Sequence, residues 1–492
     1  MKVLLIYPEF PDTFWSFKHA LKFIRKKSSA PPLGLLTISS MLPDHWKQRL
    51  TDLNVRSLSN KDLEWADMVF ISAMTVQRDS AKRVLERCKK AGIPIVAGGP
   101  LFTMEPDQFG DVDHLVLNEA EITLPEFLAD FDRNQTRRIY TTDKYPDIRI
   151  TPPPRWTLLN LSQYDSMPLQ FSRGCPFNCD FCNVTALLGH KPRTKSAEQI
   201  LVELDGLYNL GWRSSIFFVD DNFIGNRRYL KEELLPALAR WRKGKTGFSF
   251  NTEASIDLAD DDELIRLMVK AGFNKVFIGI ETPDNLGLEE CNKSQNVNRD
   301  LVKDVKHLQR SGLEVQGGFI VGFDSDTQTI FQRQIDFIQK SGIVTAMVGL
   351  LQAPPGTKLY ERLKKENRLL GDMSGDNVDG STNIIPQMGI DKLRSGYQHL
   401  MAQIYSPTQF YQRVKTFLEE YQPPKIKTPF TWQKFLAFFR SIYHLGIFNR
   451  DRRHYWDLLF WTLKTRPSMF AKAVTMTIYG YHFNKICELH IN

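Results

Sequence analysis

The chain of 492 residues is sparing with cysteine, of which it has 6. With so few thiols and no export signal, a reducing, cytoplasmic setting without a disulfide framework is expected. The opening MKVLLIYPEF breaks at Pro8, short of the roughly 7–15 apolar residues of a signal segment; it reads as a buried first strand. No stretch approaches the ~20 apolar residues of a membrane span. Net charge is also missing from most of the chain. Between Lys425 and Lys472, ten Lys or Arg stand against Asp451 and Asp457, which accounts for the whole +8. Elsewhere 54 basic side chains balance 54 acidic ones, so the basic character belongs to one segment and not to the body.

What the chain does have is enough apolar residue, 42%, for several cores, and its length points to two to four domains. Residues 1–145 alternate strand and helix. Val3–Tyr7, Met68–Ser72, Ile93–Ala97 and His114–Leu117 have the length and β-branching of buried parallel strands. The run Asp79–Lys90 is predicted helical, with Ala91-Gly92 as its stop. An open α/β sheet binds ligands beyond the carboxyl ends of its strands. Two such ends are ISAMTVQ (Ile71–Gln77) and AGGP (Ala97–Pro100), where Gly98 and Gly99 allow close backbone approach or simply a tight turn.

A proline-rich linker, YPDIRITPPPR (145–155), precedes a second βα series that occupies 146–370. Its strands are predicted at Met167–Arg173, Ser215–Asp221, Phe248–Ser255, Lys275–Thr282, Val315–Phe323 and Thr345–Leu351, with helices between. Six βα units predict a (β/α)6 partial barrel with its function at the C-terminal strand ends. Polar residues gather there: the cysteine loop, VDDN (219–222), TEAS (252–255), GIETPD (279–284) and VGFDSD (321–326). Residues 371–492 read as a helical extension.

Half of the cysteines fall in FSRGCPFNCDFCNV (171–184), as Cys175-x3-Cys179-x2-Cys182. A zinc site completed by His190 is one reading. The other is a cubane iron–sulfur cluster, in which three thiolates leave one iron open to a substrate or cofactor. Zinc knuckles hold small domains that lack a core, and this domain has ample core, so the cluster is the better fit to the loop.

A CxxxCxxC loop after the first strand of a βα barrel resembles the radical S-adenosylmethionine (SAM) superfamily. The resemblance implies a [4Fe-4S] cluster on Cys175, Cys179 and Cys182, a SAM molecule on the open iron, and a 5′-deoxyadenosyl radical from its cleavage. It extends to Phe177 and Phe181 in the loop and to VDDN, where Asp220 or Asp221 would meet the methionine amino group. Glu281 matches a ribose-contacting position, and Gly318, Ile320 and Gly322 of GFIVG match the strand that packs on adenine. Ser325 stands where the family often carries an acid; Glu253 is a further polar candidate.

An α/β domain ahead of such a barrel is similar to the cobalamin-binding branch. That implies a Rossmann-like B12-binding domain with Ser72, Met74, Thr75, Gly98 and Gly99 at the cofactor. The Asp-x-His-x-x-Gly element of many B12 domains is absent before residue 72, so the expectation is base-off cobalamin with no histidine on cobalt, its lower face covered by ISAMTVQ. The implied activity is a C-methyltransferase that acts at an unactivated carbon through the radical and methylcobalamin, fed by an external donor of the flavodoxin or ferredoxin type. Rival readings are a non-methylating B12 radical SAM cyclase or rearrangement enzyme, and a non-catalytic cobalamin or redox sensor. Cys88, Cys291 and Cys487 read as isolated.

In the extension, Phe430–Phe448 and His454–Lys464 are dense in aromatics, with Asn449–Arg453 (NRDRR) between them. Residues 425–472 are expected to make peripheral membrane contact or to cap the barrel with a basic rim; nucleic acid is the less favoured partner. The layout resembles the hopanoid C-2 methylase-like branch, which implies a small-molecule substrate of lipid or isoprenoid type.

Overall fold

The computed structural model describes residues 1–376, 378–424 and 432–490. The first sheet contains β1 (Lys2–Tyr7), β2 (Lys47–Asp52), β3 (Met68–Ser72), β4 (Ile95–Gly98), β5 (His114–Val116) and β6 (Ile139–Tyr140). All pairs are parallel, in the order β2-β1-β3-β4-β5-β6. The chain reverses its winding between β1 and β3, which opens a crevice at their carboxyl ends. The two strands not foreseen, β2 and β6, are the sheet edges. β2 (KQRLTD) carries charge on its exposed positions, as edge strands do to resist pairing with other chains, and so lacks an apolar signature.

The second sheet contains β7 (Ser166–Leu169), β10 (Ser215–Phe218), β11 (Phe250–Ala254), β12 (Phe273–Glu281), β13 (Glu314–Val321) and β14 (Ala346–Leu350). They are parallel and adjacent in chain order, as a partial barrel requires. The expected single strand Met167–Arg173 is broken after Leu169. Its end, β8 (Ser172–Arg173), pairs instead with β9 (Arg193–Thr194) in an antiparallel clip. Covering helices start on side-chain caps: Ser196 with Gln199 forms a capping box before Ala197–Asn209, and Asp261 accepts from Leu264 N–H at 3.0 Å.

The extension is helical at Ile390–Ile404, Pro407–Glu420, Trp432–Ser441, Arg452–Thr465 and Phe470–His490, with a wider-turned continuation at Ile442–Ile447. Among the described residues, no helix is long and apolar enough to cross a membrane. One buried apolar cluster runs from Phe14 and Phe23 through the barrel to Phe483 and Ile486. The segment after β1 therefore packs on the last helix: Phe14 stacks on Phe483 with centroids 4.3 Å apart, and His482 Nε2 lies 2.9 Å from the Phe14 carbonyl.

The expected linker is pinned rather than loose. Thr151 donates to Glu121 at 2.6 Å, and Arg155 N–H donates to the Leu36 carbonyl at 3.0 Å. Beside it the two sheets are joined by buried charge. Arg173 bridges Glu119 (2.7 Å) and Glu121 (2.9 Å), and Arg193 also pairs with Glu119 (2.7 Å). Burial alone would raise the Glu121 pKa, but Arg173 outweighs it and the net shift is downward.

Candidate active site

Gly174 starts the cysteine loop with φ +89°, and a Cβ there would meet the carbonyls of Leu188, Gly189 and Lys191. Those carbonyls belong to the returning limb closed by the β8–β9 clip, so the loop is held at both ends. Cys175 N–H donates to Gly189 at 3.2 Å, Cys182 N–H to Cys179 at 3.1 Å and Asp180 N–H to Cys291 at 3.0 Å. Cys291, isolated in the sequence, therefore braces the loop in space.

Burial pushes all three loop thiols up, Cys182 to about 12. Such thiols ionise readily only against a strong positive charge, as a coordinated metal provides. His190, which a zinc site would draw on, is exposed. Among the described residues, no three His, Cys, Asp or Glu side chains are gathered as a single ion needs.

The two aspartates of VDDN occupy different environments. Asp220 is fully buried, and its carboxylate accepts from Phe171 N–H (3.2 Å), Ser172 N–H and Ser172 Oγ (2.6 Å). It fixes the corner between β7 and β8 from which the cysteine loop springs. Asp221 instead has a buried Oδ2 with no hydrogen-bond partner, and burial raises its pKa to about 6. Glu253 is raised to about 8, by burial and then by Asp221 and Asp220. Electrostatic coupling links Asp221 to Cys182 and Glu281 to Cys179, so these carboxylates surround the loop.

Glu281 has φ +63° at the end of β12, next to a register shift at Gly279/Glu281. Backbone strain of this kind is held by its surroundings and is concentrated at functional sites. Its partner is Lys293, 2.7 Å away. Burial would lower the Lys293 pKa, but Glu281 first, and then Cys179 and Cys182, raise it overall. Lys293 and Gln295, whose Oε1 is another buried orphan, were missed by sequence reasoning. They lie in CNKSQN, which has no apolar period or motif to single it out.

Gly318 is pressed by the Phe277 ring, 2.8 Å from where a Cβ would sit. Ile320 and Phe181 pack in one apolar cluster with Cys291 and Phe323. Gly322 N–H donates to Asp326 at 2.8 Å, so an acid does meet this turn, one position after Ser325.

A cavity of about 1590 Å³ lies between the two sheets and runs into the barrel. It takes in Ser72, Met74, Gly98 and Gly99 at the first sheet and Glu253, Phe277 and Gln316 inside the second. Thr75 and the loop cysteines are not on its wall; Thr75 instead packs against Gly375. Gly99 has φ +89°, and a Cβ on it would collide with Ser72 Oγ, so the strand ends present bare backbone to the cavity. This glycine cradle, the three thiols and the orphaned acceptors Asp221 Oδ2 and Gln295 Oε1 fit a buried nucleotide tail, a cluster and an amino-acid-bearing cofactor.

Comparison with known proteins agrees with the geometry. Residues 169–338 match the radical SAM superfamily profile, 24–128 the B12 binding domain, and 357–492 a domain of unknown function. An uncharacterized methyltransferase of Synechocystis sp. is 41% identical over 99% of this chain and 92% of its own. The hopanoid C-2 methylase of Rhodopseudomonas palustris is 34% identical over 84% of this chain and 78% of its own. In fold, the chain is similar to OxsB, a cobalamin-dependent SAM radical enzyme solved with aqua-cobalamin. That likeness has a TM-score of 0.64 at 14% identity and covers 99% of this chain and 80% of that one.

Proposed function

The chain belongs to the B12-binding radical SAM family, as an enzyme of cobalamin-dependent methyltransferase type, and on that premise we propose a C-methyltransferase acting at an unactivated carbon of an apolar, lipid-like or isoprenoid substrate. The observation that carries this reading is the single cavity joining the glycine-lined ends of the first sheet to the interior of the second. When bound, the cluster with SAM supplies a carbon radical and cobalamin supplies a methyl group. Cys175, Cys179 and Cys182 would hold the cluster. Asp221, Glu281 and Gln295 would hold SAM, with Gly318, Ile320 and Gly322 against its adenine. Ser72, Gly98 and Gly99 would receive the cobalamin tail.

The chain's own part is to orient these groups and to exclude water. Trp15, Phe217, Phe277, Phe438 and Ile478 give the cavity an apolar wall, which suits an extended hydrocarbon. Base-off cobalamin is part of the proposal, because the Asp-x-His-x-x-Gly element is absent before residue 72. Met74 and Val76 of the ISAMTVQ segment line the cavity and would cover the cofactor there, with Gly375 packed against the Thr75–Val76 backbone beside them. Electrons would come from a separate donor of the flavodoxin or ferredoxin type. The name of the hopanoid methylase makes polycyclic isoprenoids the first substrates to screen.

The test is an anaerobic incubation of reconstituted protein with SAM, reductant and hydroxocobalamin, read by mass spectrometry. Both 5′-deoxyadenosine and cobalamin-dependent S-adenosylhomocysteine are expected. Deoxyadenosine alone would replace methyl transfer with a rearrangement or oxidation.

A further inference from the structure

The helix Trp432–Ser441 and its continuation Ile442–Ile447 are apolar on the outward face as well as the inward one, unlike a surface helix. The face turned inward carries Ala437, Ser441 and Leu445, at most 6% exposed, with Phe438 and Ile442 half-buried against the core. The outward face is aromatic and aliphatic, with Trp432 at 72%, Phe439 at 50%, Tyr443 at 54% and Phe448 at 67% exposure. Water-facing helix surfaces are normally polar, and contiguous apolar patches mark sites of association.

Charge indicates the occupant. The stripe runs directly into exposed Arg450, Arg452 and Arg453, within the segment that holds the chain's entire net +8. Two such segments facing each other would repel, so a second copy is disfavoured. Basic groups flanking aromatic and aliphatic side chains on one helix face match the interface of an anionic bilayer, where rings sit at headgroup depth and arginines meet lipid phosphates. The first residues of the expected membrane-contact segment, 425–431, lie outside the described residues.

The cavity reaches the surface at the same place. Phe435 is 39% exposed and also lines the cavity, together with Phe438, Phe470 and Val474. We infer that residues 432–453 dock on an anionic lipid surface and set the apolar arm of the cavity against it. Docking is independent of the methyltransferase reading; only the use of that arm as an entry for a membrane-dissolved substrate rests on it.

The test is vesicle flotation of the cluster-loaded, full-length protein. Phosphatidylglycerol–phosphatidylcholine vesicles are compared with pure phosphatidylcholine, in low and high salt. The expected result is salt-sensitive flotation with the anionic vesicles. A triple variant Phe439→Asp, Tyr443→Asp, Phe448→Asp should lose at least about tenfold in partition, with iron content and thermal midpoint unchanged. Because all three side chains face solvent, its folding is expected to survive. A second variant, Arg450→Gln, Arg452→Gln, Arg453→Gln, should lose the preference for anionic over neutral vesicles. Equal flotation of wild type and both variants overturns the inference. So does wild-type protein that ignores vesicles but forms a dimer that the aspartate variant abolishes. Flotation reads no product, so a protein that docks yet yields no S-adenosylhomocysteine would fail the functional proposal and keep this one.

Discussion

The two parallel sheets have the same number of strands, and under the proposed function they would hold their ligands by opposite means. The first does it by omission: at Gly98 and Gly99 the side chain is missing, and a Cβ would strike the Val116 carbonyl or Ser72 Oγ. The second does it by accumulation, crowding three thiols, Asp221, Glu253, Glu281 and Lys293 at its strand ends. The lesson is that a bulky neutral ligand asks for room and backbone, whereas a cluster and a charged amino acid ask for buried charge.

That contrast can be broken most forcefully on the second sheet. Replacing Cys175, Cys179 and Cys182 with Ala is expected to abolish iron binding and all SAM cleavage, with the far-ultraviolet spectrum unchanged. Full iron content in the triple variant would refute the assignment. On the first sheet, Gly99→Val forces a β-branched residue into a φ +89°, ψ −178° backbone that is essentially reserved for glycine, at a cost of roughly 1–3 kcal/mol, and drives its side chain against Ser72 at the cradle. Cobalamin retention should fall to background while 5′-deoxyadenosine formation persists; loss of both would mean the two sheets do not work separately. A smaller effect is expected from Glu281→Gln. SAM affinity should drop roughly 10- to 150-fold, the equivalent of the 1.5–3 kcal/mol of a charge-assisted hydrogen bond, with iron retained. Unchanged affinity would remove this residue from the site.

The smallest effect sharpens the comparison through pH. Burial, then Asp221 and Asp220, raises Glu253 from 4.5 to about 8. Its contribution to stability is complete below its unfolded value and is lost as pH rises through its folded one. Cofactor-free protein should therefore soften across that window, and Glu253→Gln should flatten the decline in thermal midpoint. A wild-type profile already flat there would show that the carboxylate has found a cation.

The family of the second sheet was legible because its signature lies in short motifs at strand ends, the cysteine spacing first among them. The βα alternation was legible because buried parallel strands are continuous apolar runs. The edge strands β2 and β6 were not, since edges are charged or very short. Nor were the roles within VDDN, because two adjacent aspartates look alike until one is seen bonded to the Ser172 backbone and the other left with a bare oxygen. Lys293, Gln295 and Cys291 were illegible for a different reason. Their place beside the loop is set by how the segment after β12 folds back, which no local pattern encodes.

The contact between Phe14 and His482 spans 468 residues of chain. During synthesis at about 5–20 residues per second, the aromatic side chains of the first segment must wait roughly 25–95 s for the helix that covers them. The first sheet can close in that interval, since its own strands are already made, but the rings after β1 wait for the helix Phe470–His490. In a nascent chain Phe14 and Phe17 therefore lack their ring partner Phe483 until the helix Phe470–His490 has been made, and that helix is what closes over them.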